Sequence, residues 1–299
     1  MDSRDYICAF TIKDASDIPM DFAAPAGVRD CTAGLFLPQS DPDWLERRAY
    51  PARIVLLTHD ALFVIPHSQS KEQNLLIPLR DLVTLECGRI LLSGWIALYG
   101  GDSRHLLCYN RRCALTVERF LARLKALWLA DHGDLSGIGV ALPSHGDYGA
   151  ALDEKFKYSL ETEMIDGERP LIRFFHPSVR RVRRRFFRYE TSSAGDLIVL
   201  SRRRVLWITE RRGTAYEPYG TVSYSVPIEA FSEIDYLHSG HGPHLRVCPR
   251  SGLCWQLPVG EGYGDNAQSF ADVIRKVLRV SGTNEPVPVR AESRRRGQR

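Results

Sequence analysis

No stretch of this 299-residue chain is apolar for long enough to cross a bilayer. The best candidate, Ile90 to Tyr99, is half the needed length and is broken by Gly94. The opening residues, Met1-Asp2-Ser3-Arg4-Asp5, mix charges and place no basic region ahead of an apolar one, so no secretory leader is expected. Cys-x-x-Cys is also missing. The seven cysteines are odd in number, and the spacings Cys108 to Cys113 and Cys248 to Cys254 fit neither a zinc ribbon nor a redox pair. Most lie in strand-like apolar stretches, where a thiol behaves as a small hydrophobe. A reducing cytoplasm without a disulfide framework is the expectation.

Catalytic signatures are absent as well. There is no Gly-x-Ser-x-Gly elbow. Gly260-Glu261-Gly262-Tyr263-Gly264 lacks the Lys-Ser/Thr of a phosphate loop and any parallel βαβ setting, so it reads as a hairpin or a turn into the last helix. The string His238, His241, His244, Cys248 surrounds a Ser239-to-Pro243 turn and reads as a polar loop, since a metal needs converging ligands with supporting bonds. Glu161 with Glu163, and Asp14 with Asp17, read as solvated surface. The expectation is therefore no catalytic residue, no metal and no cofactor.

What the chain does have is a repeat. Val55-Leu56-Leu57-Thr58-His59-Asp60-Ala61-Leu62-Phe63-Val64-Ile65 returns as Ile198-Val199-Leu200-Ser201-Arg202-Arg203-Arg204-Val205-Leu206-Trp207-Ile208. Ile77-Pro78-Leu79 returns as Val226-Pro227-Ile228. Short β-rich runs follow each copy, spaced as in an antiparallel barrel or sandwich. Each repeat closes on an amphipathic helical stripe: Val117, Phe120, Leu121, Leu124, Leu127 and Trp128 first, then Ala267, Phe270, Ala271, Ile274, Val277 and Leu278. A period this long means two whole units of one fold. The spacing predicts an N-terminal extension over 1–31, domain one over 32–130, a linker with a bracing helix over 131–170, domain two over 171–280, and a disordered basic tail over 281–299.

The hairpin Leu56-Leu57-Thr58-His59-Asp60-Ala61-Leu62-Phe63-Val64-Ile65 with Ile77-Pro78-Leu79-Arg80-Asp81-Leu82, and its second version, resembles the pleckstrin-homology-like fold, in particular the bacterial PH and GRAM-like group. The resemblance covers about two thirds of the chain. It implies a mainly β, α+β protein of two tandem PH-like antiparallel β-barrels, each closed by a C-terminal helix, with a binding or scaffolding role. Lipid-binding relatives carry Lys and Arg between the first two strands. Repeat one instead has Asp41, Asp43, Glu46, Arg47 and Arg48 there, while repeat two has a basic cluster.

That cluster holds most of the charge asymmetry. Residues 1–150 carry roughly −3 and the remainder roughly +7, within a formal net charge of +4. Arg180, Arg181, Arg183, Arg184, Arg185 and Arg188 fall within nine residues, and a helix would align Val179, Val182, Phe186 and Phe187 on one face. Arg202, Arg203, Arg204, Arg211 and Arg212 lie at neighbouring hairpin tips and extend the candidate patch. The sequence thus points to a cytoplasmic, non-catalytic module, peripheral at the inner face of a membrane or bound to an acidic protein partner; nucleic acid is less favoured. The competing reading is an enzyme or small-ligand protein with its site between the two barrels.

Overall fold

The computed structural model describes residues 8–22, 31–39, 50–101, 103–135, 146–183, 188–212, 215–216, 220–240, 242–250 and 254–280. The stretch 41–48, placed above between the first two strands of repeat one, and the tail 281–299 lie outside them.

Strands β1 (Phe10–Ile12), β2 (Ala33–Leu37), β3 (Arg53–Leu57), β4 (Ala61–Pro66) and β5 (Leu75–Pro78) pair in that order as one antiparallel sheet. After them come β6 (Leu82–Ile90), β7 (Ser93–Gly100), β8 (Ser103–Asn110) and helix α1 (Ala114–Ala130). The connecting segment holds β9 (Asp147–Gly149) and helix α2 (Glu154–Glu163). The second half runs through β10 (Ile172–His176), β11 (Val179–Arg183), β12 (Arg188–Ser193), β13 (Asp196–Leu200), β14 (Arg204–Thr209), β15 (Arg211–Arg212), β16 (Ala215–Tyr216) and β17 (Gly220–Pro227). It ends with β18 (Phe231–Ser239), β19 (Gly242–Pro249), β20 (Trp255–Pro258) and helix α3 (Gly264–Val280).

The repeat is visible in this order. Hairpin β3–β4 matches β13–β14. The prolines Pro78 and Pro227 each end a strand and start a 3-10 turn, with φ near −58° and −56°. Phe120 and Phe270 stand at the same offset in α1 and α3, and both are buried.

The expected barrels do not form. Eight strands make one sheet that runs through both halves, in the order β8-β7-β6-β17-β14-β13-β10-β9, and no sheet closes on itself. The reason lies in the edges. To close the first unit, β6 would have to turn an edge to β5, but β7 and β17 occupy both of its sides. In the same way β17 lies between β14 and β6 and has no edge left for β18. The three-stranded sheet β18-β19-β20 therefore stands separately, as does the first sheet.

Each half uses the opposite face of the shared sheet. Strand alternation puts Trp95, Tyr224, Trp207, Ile198 and Phe174 on one face, where β18–β20 and α3 cover them. Trp207 stacks on Tyr224 at 4.8 Å between centroids, and Trp255 of β20 closes over both. The other face carries Leu85, Cys87, Ile96 and Leu98 under the first sheet and α1. Further along that face, Leu197, Val199, Leu206 and Ile208 lie under Phe156 and Leu160 of α2.

Two further expectations are corrected. Val179–Arg183 and Arg188–Ser193 form a two-stranded antiparallel ribbon, not an amphipathic helix. The Val, Tyr and Thr residues of these two segments favour strand, and β-branched residues disfavour helix. Cys248 is bonded to Cys254, their Cα atoms 4.3 Å apart, because the β19–β20 connection brings the two strands together. Among the described residues, no helix is long and apolar enough to cross a membrane.

Candidate functional site

The middle strand β17 sets the geometry of the junction. Val222, Tyr224 and Val226 face the aromatic core, while Thr221, Ser223 and Ser225 face α2, and all six are buried. Such hydroxyls need partners when dry. Thr221 Oγ1 lies 3.3 Å from Ser159 Oγ, Ser223 donates to the Cys87 carbonyl at 3.3 Å, and Ser225 accepts from Arg204 Nη1 at 2.8 Å.

Around them is a buried ion network. Glu163, at the end of α2, is 1% exposed and so is not solvated surface. Its carboxylate pairs with Arg89 Nη1 of β6 at 2.7 Å and with Lys125 Nζ of α1. Arg89 also reaches Glu118 at 3.5 Å. Arg204 is fully buried. It grips Glu168 with Nε at 3.0 Å and Nη2 at 2.6 Å, and Nη2 also donates to the Glu163 carbonyl at 2.7 Å. Three cations thus face the three carboxylates of Glu118, Glu163 and Glu168. Burial alone would raise the Glu163 pKa, but Lys125 and Arg89 outweigh it and hold the carboxyl well below its ordinary range. Glu168 is lowered in the same way, with Arg204 overcoming desolvation.

The network clamps α2 over the seam between the halves, and it takes Arg204 out of the candidate patch. Of the other patch residues, Arg180, Arg181, Arg183 and Arg188 lie on β11 and β12, and Arg211 and Arg212 on β15. The side chains of these six, and the whole of Arg184 and Arg185, lie outside the described residues.

Arg202 and Arg203 are exposed at the β13–β14 turn. Ser201 shapes that turn: its backbone N–H donates to the Arg204 carbonyl at 2.9 Å and its Oγ donates to Glu168 at 2.6 Å. The turn is held from outside as well, since Leu135 N–H donates to the Arg202 carbonyl at 3.0 Å and Ile228 N–H to that of Arg203 at 2.9 Å. Both arginines line a cleft of about 650 Å3 whose other wall is the loop after α2, including Asp166, Gly167, Glu168 and Arg169. Gly167, at φ +79°, supplies the left-handed turn that folds this loop back.

The charges in the cleft are unequally committed. Glu168 is answered by Arg204, and Asp134 lies 3.9 Å from Arg203. Arg169 and Arg202 are exposed and make no ion pair among the described residues. A second cleft of about 590 Å3 lies between β8 and the approach to β5. Here the cations are occupied: Arg53 pairs with both Glu72 oxygens, at 2.7 and 2.9 Å, and Arg104 lies 3.5 Å from Glu86 and over the Tyr99 ring.

Among the described residues, no group of His, Cys, Asp and Glu is arranged to hold a metal ion. Sequence reasoning missed Arg169, Arg89, Lys125 and Glu168, and it placed Arg204 and Glu163 at the surface. One signal was available, because Lys125 sits directly after Leu124 on the apolar stripe of α1, where a lysine must find a buried partner. No family model matches the chain, and no curated protein matches it.

Proposed function

We propose that this is a non-catalytic binding protein that receives an acidic segment of a protein partner in the cleft of Arg169, Arg202 and Arg203. The observation that carries this reading is the contrast between committed and uncommitted arginines. Arg53, Arg89 and Arg204 spend their guanidinium groups on internal carboxylates, whereas Arg169 and Arg202 stand exposed at a concave opening. A guanidinium offers paired donors to a carboxylate, and a concave wall favours discrete side chains over a flat surface. The positive half of the chain supplies both Arg169 and Arg202, and its field favours the approach of an acidic chain.

Fluorescence anisotropy with a Glu- and Asp-rich peptide tests the reading. Binding is expected at low salt, weakening as salt rises, with a loss of about tenfold or more in Arg169→Glu/Arg202→Glu. Equal binding by the variant and the wild type would overturn it.

A further inference from the structure

Leu91 and Leu92 make the two-residue turn between β6 and β7, with Ile90 paired to Ser93. Turns of this length need a positive φ, which Gly or Asn normally supplies. Here Leu91 takes it, at φ +47°, and it is the one non-glycine residue with positive φ among the described residues. The two side chains are 60% and 66% exposed. A leucine at this position breaks two local rules at once, backbone preference and burial. Packing gives no reason for it, because neither side chain is in the core.

The surroundings make the turn part of a face. Arg111 N–H donates to the Leu92 carbonyl at 2.8 Å, which seats the 3-10 turn before α1 against the hairpin tip. One turn along, Leu115 is 72% exposed. Arg119 and Arg123 follow it at helical spacing on the outer side of α1, and Arg112 precedes it; all three are exposed. Glu118, the acid within this stretch, is turned toward Arg89.

We infer that this tip is a membrane anchor: Leu91, Leu92 and Leu115 enter the acyl boundary of an anionic bilayer, while Arg112, Arg119 and Arg123 meet its phosphate headgroups. Protruding leucines ringed by cations suit a deformable anionic surface. A second copy would bring like charges together on the same face. This anchor is separate from the arginine cleft and does not rest on it, so a partner held in the cleft would be carried to the membrane.

Co-sedimentation with phosphatidylcholine vesicles, with and without phosphatidylserine, tests the inference. The full chain is expected to pellet with the anionic vesicles and much less with neutral ones. Leu91→Gly/Leu92→Ser should lower that partition about tenfold or more while leaving the melting temperature equal or higher, because glycine takes the positive φ without strain. Arg112→Glu/Arg119→Glu should lower it about tenfold on anionic vesicles. Arg169→Glu/Arg202→Glu should leave it unchanged. The inference is overturned if wild type fails to pellet, if either tip variant pellets as wild type does, or if the cleft variant alone releases the vesicles. It also fails if ultracentrifugation shows a dimer that the leucine variant dissociates, which would make the tip a self-association surface.

Discussion

At the scale of single residues, Glu163 ties three elements together: two cations bind its carboxylate directly, and Arg204 holds its backbone carbonyl. Removing one member of a buried cluster leaves the others dry and unpaired, so Glu163→Gln is expected to cost about 3–5 kcal/mol at neutral pH. The direction with pH follows from the lowered pKa values of Glu163 and Glu168. Their stabilisation is complete above the ordinary glutamate value of 4.5 and is lost as pH falls below it toward their folded values. Chemical denaturation from pH 7 to pH 3 should therefore show a steep loss of stability in wild type and a shallower one in Glu163→Gln. Equal slopes would mean that the network does not respond to acid as described. These residues were hidden in the sequence for a physical reason. Arg204 sits in an Arg202-Arg203-Arg204 run that looks like one solvated tip, yet Arg202 and Arg203 form the exposed turn while Arg204, the first residue of β14, is already inside the buried sheet. Glu163 looks like any polar residue at a helix end until the cations from α1 and β6 are placed around it.

At the scale of elements, local pattern was a good guide where a single period ran unbroken. The stripes of α1 and α3 and the two hairpins were legible, because each follows from spacing within a few residues, whereas Pro78 and Pro227 recur as expected but end their strands in 3-10 turns. Phe120 and Phe270 illustrate this: both were expected on the inner face of their helices, and both are buried there, Phe270 against Phe174 and Tyr148. Phe120→Ala and Phe270→Ala should each lower stability by about 3–5 kcal/mol in a urea titration, the completely enclosed Phe270 at the upper end. An unchanged midpoint in either would remove that side chain from the core account. The ribbon β11–β12 was misread for the opposite reason. Val179, Val182, Phe186 and Phe187 satisfy a helical spacing, but a short apolar pattern of this kind does not by itself exclude a strand, and Val179 to Arg183 pairs with Arg188 to Ser193. The Cys248–Cys254 bond depended on a strand pairing that spacing alone does not reveal.

At the scale of the whole molecule, the repeat was legible and the way its copies join was not. Periodicity reports which face of a strand is buried, and it is silent on which strand lies alongside. A strand buried on both faces, such as β17, reads the same whether its neighbour comes from its own repeat or from the other one. The shared sheet and the α2 clamp make the halves interdependent. Scanning calorimetry should give one transition whose calorimetric and van't Hoff enthalpies agree, and two resolved transitions would show that the halves melt separately. The arginine cleft belongs to this scale too, since the loop after α2 and a hairpin of the second repeat come together only once the clamp is set.

The seam itself is lopsided. Counting from Pro78 and Pro227, β17 corresponds to β5, and β6 corresponds to β18, so the pair that meets is made of unlike strands. A two-fold join would consume like edges and finish there. This one is directional: each molecule keeps, at its far ends, one strand of the kind that gives and one of the kind that receives, as β5 and β18 both end their sheets. Directional contacts propagate into rings or fibres unless something stops them. The stop is written into β5. It has four residues where β17 has eight, and in the segment before it, Lys71 to Asn74, Glu72 is paired with Arg53 of β3. A half-buried ion pair thus sits beside the free end of a sheet edge, where β5 stays half the length of its counterpart.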